Sequence, residues 1–122
     1  MKKLVSFFEI PATDFERAIK FYETLLKTKL SIMDCGHEKM AFFSDESSDA
    51  CGAISWAEGF NASKDGVLIS LSCEDIDSAL NYIEKNGGKT LIPKTQIEAD
   101  NAGFFAVFLD CEGNRVGLWA QK

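Results

Sequence analysis

The sequence predicts an α+β fold of two paired βαβββ modules whose mixed sheets enclose a cavity. The first observation behind this is a duplication: Asp14, Phe15, Ala18, Ile19 and Phe21 return 61 residues later as Asp75, Ile76, Ala79, Leu80 and Tyr82. MAFFSD (Met40 to Asp45) likewise resembles AVFLDC (Ala106 to Cys111), and AISWA (Ala53 to Ala57) resembles VGLWA (Val116 to Ala120) at an offset of 63. The second is element order, which reads strand, helix and then three strands, twice over. The third is size: 122 residues make one domain, since each half of about 60 residues would bury too little surface to stand reliably alone. A helix on one face of a sheet leaves the other face open, and two open faces can combine around a cavity. The expected organisation is a single domain with a first module at 1–57, a linker at 58–66 and a second module at 67–122.

Taken in order, Lys3 to Ile10 is rich in Val, Phe and Ile and reads as a strand ending at Pro11. Thr13 opens a helix: with Glu16 three residues later it makes a capping box, and Phe15, Ala18, Ile19 and Tyr22 set an apolar stripe at i, i+3, i+4 and i+7. Shorter strands follow at Leu30 to Cys35, Lys39 to Ser44 and Gly52 to Ala57. Glu58 to Gly66, with two Gly plus Asn, Ser, Lys and Asp, is the linker. The cycle restarts with a strand at Val67 to Cys73 and a helix at Asp75 to Asn86, striped by Ile76, Ala79, Leu80 and Ile83. Glu74 and Asp75 suit its N-terminal dipole, and Gly87 and Gly88 supply a left-handed exit. Strands at Thr90 to Lys94, Phe104 to Asp110 and Arg115 to Ala120 complete the unit. DCEGN between the last two is a turn, because Gly113 and Asn114 tolerate positive φ.

Composition narrows the function. The formal net charge of −6 argues against nucleic acid and against an anionic membrane surface, since phosphate binding needs clustered Lys and Arg. The apolar stretches are strand-sized and no leader-like segment precedes them, so a cytoplasmic protein with no membrane span is expected. With 46% apolar residues, ten of them Phe, there is material for a core and for a pocket lining. The cysteines at 35, 51, 73 and 111 lack CxxC spacing and read as reduced, structural thiols.

The repeat, together with DFERAIKFYETLL in the first unit and FLDCEGNRVGLWA at the end, resembles the vicinal oxygen chelate superfamily of glyoxalase I, bleomycin resistance proteins and extradiol dioxygenases. CEDIDSAL, NGGKTLIPKT and GNRVGLWA are most similar to its small bacterial members. In metal-dependent members one ligand, typically His or Glu, comes from the first and the last strand of each unit. The resemblance places those ligands at Phe7 and Ile54, and at Leu68 and Gly117. None offers the imidazole, carboxylate or thiolate that a divalent cation needs. No metal and no other cofactor is therefore expected, and Lewis-acid chemistry on vicinal oxygens with it. The resemblance also implies a homodimer, because related small proteins exchange units between chains.

Strand residues alternate faces, so counting in twos from those four positions names the cavity-facing side chains. Phe7 brings Glu9; Ile54 brings Gly52 and Trp56; Leu68 brings Ser70 and Ser72; Gly117 brings Arg115 and Trp119. Trp56 and Trp119 either form facing platforms for a flat ligand or fill the space of the missing metal together with Phe7, Ile54 and Leu68. Glu9 and Arg115 either pair with each other, or serve a ligand, Arg115 through its planar fork, or stand in solvent after a slip of strand parity. His37, two residues from Cys35, reads as an exposed turn histidine, since no third group orients a Cys–His nucleophile. The expected function is binding of a small planar or amphipathic organic molecule in an aromatic cavity. The alternative is an enzyme of the same fold with a metal-independent or relocated site.

Overall fold

The computed structural model of the protein describes residues 4–44 and 50–122. Lys3, which the sequence places in a strand, and Asp45, which it places in a repeated segment, lie outside the described residues. The chain divides into two units, Met1–Ala62 and Ser63–Lys122.

The first unit runs β1 (Phe8–Pro11), α1 (Phe15–Leu26), β2 (Ser31–Asp34), β3 (Glu38–Ser44) and β4 (Ala50–Ala57). These strands form one open sheet in the order β1-β4-β3-β2, with β1 parallel to β4 and the other pairs antiparallel. Strand β1 begins five residues later than the sequence suggests and includes Pro11. It lies at the sheet edge, where a residue without an N–H is tolerated. Helix α1 is capped by Asp14, whose side chain accepts from the Arg17 backbone N–H, and not by Thr13. A carboxylate at this end also meets the positive end of the helix dipole, which a hydroxyl does less well.

The second unit repeats the order with β5 (Ser70–Ser72), α2 (Ile76–Lys85), β6 (Lys89–Gln96), β7 (Phe104–Leu109) and β8 (Arg115–Ala120). Its sheet has the order β5-β8-β7-β6, again with the first strand parallel to the last. Asp75 caps α2 as Asp14 caps α1, so the helices do repeat at 61 residues. Of the two glycines after α2, only Gly87 is left-handed, at φ +96°. Gly88 serves close packing, since a Cβ there would fall 2.5 Å from Ile83 Cγ2 and 2.6 Å from the Leu109 carbonyl oxygen. In the DCEGN turn Gly113 takes positive φ and Asn114 does not. Asn114 instead turns its side chain on Asp110 and Ser63.

Each sheet is α+β in the same sense, with one helix on one face. In the first unit the face is fixed by Tyr22 of α1, which meets Phe43 edge-on with centroids 5.8 Å apart. Phe8 stacks on Phe43 at 5.7 Å by lying across Gly52, where any Cβ would collide with its ring. The pairing register then carries Ile10, Ala41 and Ile54 to this covered face, where all three are buried. In the second unit Leu71, Ala106, Phe108, Val116 and Leu118 are buried and alternate with exposed Ser70, Ser72 and Arg115.

Candidate functional site

The open face of the second sheet carries the residues the sequence named there. Ser70 pairs with Gly117 and Ser72 with Trp119, and Arg115 sits two residues before Gly117 on the same side of β8. Gly117 sits tightly against its neighbour: a Cβ would lie 2.4 Å from Ser70 Oγ, so the hydroxyl would have to turn away. Trp119 is half-buried, and its indole N–H donates to the Ala102 carbonyl oxygen at 2.8 Å. Its ring also covers Gly103, a residue at φ +85°. Arg115 is exposed, as a side chain available to a ligand must be. Leu68 precedes β5 and is 46% exposed.

On the first sheet, only part of the expected set shares a face. Phe7 contacts Phe42 with centroids 6.0 Å apart, and Phe42 pairs with Ala53 as does Glu9. Phe7, Glu9, Phe42 and Ala53 therefore lie on the open side. Ser55, two residues beyond Ala53, joins them and donates from its hydroxyl to Glu9 Oε1 at 2.7 Å. Ile54 and Trp56 lie on the opposite, helix-covered side. Ile54 is fully buried, and Trp56 stands beside Lys39, whose ammonium is 5.3 Å from the ring centroid.

The misplacement of Ile54 and Trp56 has a simple cause. With the helices in register at 61 residues, Glu9 corresponds to Ser70. Glu9 pairs with Ala53 and Ser70 with Gly117. Ala53 is thus the counterpart of Gly117, and Ser55 that of Trp119. Matching AISWA to VGLWA aligned Trp with Trp and slipped the strand by one residue, which exchanges its faces. Ser55 was missed for this reason, and Phe42 because the counting in twos followed only the first and last strands of each unit. The signal that could have found Ser55 is chemical, since a charge-bearing Glu9 on a sheet face calls for a polar neighbour.

The four positions that the resemblance assigns to metal ligands do not fit a metal. Phe7, Leu68 and Gly117 carry no donor, and the fourth position is apolar whether it is taken as Ile54 or as its corrected equivalent Ala53. Among the described residues no group of three or more His, Cys, Asp or Glu is gathered to hold an ion. Burial pushes the Cys73 thiol up from its ordinary range, which is the opposite of what an activated nucleophile needs. His37 is exposed in the β2–β3 turn, and Cys35 is exposed beside it. No described helix is long and apolar enough to cross a membrane.

Comparison with known proteins agrees with this architecture. The family model of the Glyoxalase/Bleomycin resistance protein/Dioxygenase superfamily matches residues 4–118. A glyoxylase-like domain-containing protein of Didymella fabae is 33% identical over 118 residues, covering 90% of this chain and 88% of that one. Among solved structures, a glyoxalase/bleomycin resistance protein from Albidiferax ferrireducens superposes with a TM-score of 0.69 at 16% identity, over 97% of this chain and 98% of that one. Glyoxalase I from Zea mays also gives 0.69, at 20% identity over 95% of this chain, which spans only 45% of the maize chain. At such identities the structural likeness concerns the fold.

Proposed function

We propose a function from one premise: this chain belongs to the glyoxalase/bleomycin resistance protein/dioxygenase superfamily. The reading is a binding protein that holds a small planar or amphipathic organic molecule in an aromatic cavity, without the metal of the superfamily. The observation that carries it is the donor-free set at Phe7, Leu68, Gly117 and Ala53 or Ile54, which leaves no Lewis acid to polarise a substrate. The open sheet faces offer what a binder needs. Trp119 supplies an aromatic surface, Arg115 a planar cationic fork, and Ser70 a hydroxyl, while Phe7 and Glu9 provide an apolar and an anionic group. The second reading is an enzyme that uses Glu9 or Arg115 as its polar group, and the Ser55 hydroxyl that orients the Glu9 carboxylate favours it. We take the protein to be a cytoplasmic homodimer, a placement that suits four cysteines of which none forms a disulfide.

Native mass spectrometry of the purified protein tests the binding function, with a retained organic adduct on a dimer of the 13.5 kDa chain as the expected result. Arg115→Ala should lower affinity for anionic planar compounds and leave neutral ones nearly unchanged. Turnover of a bound compound that is abolished by Glu9→Gln would overturn the binder in favour of the enzyme.

A further inference from the structure

On the helix-covered side of the first sheet, at the N-terminal end of α1, lies a cleft of about 570 Å³ that the open-face reading does not use. Its floor is a row across three strands, because Asp34 of β2 pairs with Lys39 of β3, and Lys39 with Trp56 of β4. Ile19 and Ile32 line its apolar side, and Glu16 stands in the first turn of α1. We propose that this cleft is a binding site for a small organic cation, an alkyl- or arylammonium whose charged head rests on the Trp56 ring while its apolar body lies against Ile19 and Ile32.

Three observations support the sign and size of this ligand. The Lys39 ammonium already stands 5.3 Å from the Trp56 centroid, so the ring face is presented to positive charge. The cleft is lined by the carboxylates of Asp14, Glu16 and Asp34 against the single ammonium of Lys39. Asp14 is engaged as the α1 cap, and Asp34 Oδ1 accepts from the Gly36 N–H. These carboxylates do not form a metal-holding group, and the volume lies within the range of small-molecule sites. A compact ion is therefore disfavoured and an extended organic cation fits. Lys39 acts as a tethered stand-in: half-buried on a flexible stem, it swings into solvent when a ligand takes the ring. The site is independent of the open-face residues, since Trp56 and Glu9 lie on opposite sides of the same sheet.

The test follows the two indole N–H signals by ¹H–¹⁵N NMR on the full chain, assigned with Trp56→Phe, while benzyltrimethylammonium or benzoate is added at fixed ionic strength. Benzyltrimethylammonium should shift the Trp56 signal saturably and leave that of Trp119 in place, and benzoate should shift neither. Lys39→Met should tighten the cation about two- to fivefold by vacating the ring, and Asp34→Asn should weaken it by a similar factor, about two- to fivefold. Lys39→Gln repeats the first comparison should the methionine variant lose the native spectrum. Preference for benzoate, no saturable shift at Trp56, or weaker cation binding in both Lys39 variants would overturn the proposal. A shift at Trp119 alone would overturn it too, while leaving the open-face reading standing.

Discussion

Asp110 and Asn114 close on each other at the last hairpin: the backbone N–H and the side-chain amide of Asn114 donate to the two carboxylate oxygens of Asp110 at 2.9 and 3.0 Å. Asp110 returns its own N–H to the Asn114 carbonyl oxygen at 2.9 Å. Both side chains are buried, at 2% and 5% exposure. Asn114 Oδ1 also accepts from the Ser63 N–H at 3.2 Å, so the start of the second unit is tied to its final turn.

Removing the carboxylate should be expensive for its size. Asp110→Ala strips the acceptor from the Glu112 N–H, the Asn114 N–H and the Asn114 amide at once. A loss of about 2 to 3 kcal/mol is expected, the scale for buried donors left unsatisfied. Asp110→Asn should lose less, since one oxygen still serves the two backbone donors. Urea unfolding curves of the three proteins would show the order.

Gly117 and Ser70 should be coupled. Gly117→Ala forces its Cβ onto Ser70 Oγ and is expected to destabilise by about 1 to 3 kcal/mol through overpacking. Adding Ser70→Ala removes the nearest atom and should recover part of that loss, so that in a double-mutant cycle the double variant is less destabilised than the sum of the two single ones. Strict additivity would place the strain elsewhere.

Acid should loosen the second unit through two carboxylates. Hydrogen bonds from the Ser78 backbone and hydroxyl hold Asp75 below its ordinary pKa, and the Thr90 N–H does the same for Glu84. Groups with a lowered folded pKa contribute stability above their unfolded values, near roughly pH 4, and lose it as pH falls through the folded ones. Melting temperature should therefore drop below that point. Asp75→Asn, which keeps the cap but not the charge, should show a flatter acid limb.

Metal analysis bears on the binding reading directly. With no donor at Phe7, Leu68, Gly117 or Ala53, the purified protein is expected to hold no stoichiometric zinc, nickel, iron or manganese, and to lack glyoxalase I activity. One metal per chain, removable by a chelator together with an activity, would refute this.

The helices were the legible part because their signal is local and redundant: acidic Glu74 and Asp75, an apolar stripe and the glycines that follow locate α2 within one residue at its start and its end, although the cap of α1 was placed one residue early. Strand β8 was read to its limits, since a turn precedes it and its small and apolar residues alternate with Arg115 and Trp119. Strand β4 was not, because four successive residues from Gly52 to Ser55 are buried and periodicity vanishes. Without alternation, parity rested on matching two tryptophans, and a side chain that suits either face of a sheet cannot report which one it occupies. The ends of β1 and β5 were overextended for a different reason. Val5 and Val67 have strand propensity but lie outside both sheets, exposed at 67% and 87%.

The bond from Trp119 to Ala102 has an entropic consequence. With its indole N–H held at 2.8 Å and its edge set against Gly103, the ring has few rotamers left to surrender. A molecule stacking on it would spare the system most of the ordering that a free tryptophan demands, so affinity for well-shaped compounds rises. The same stiffness works against poorly shaped ones, since a ring that cannot pivot cannot adapt. For the proposed binder, selectivity on that face would thus be a matter of rigidity, set by a carbonyl seventeen residues away in the chain.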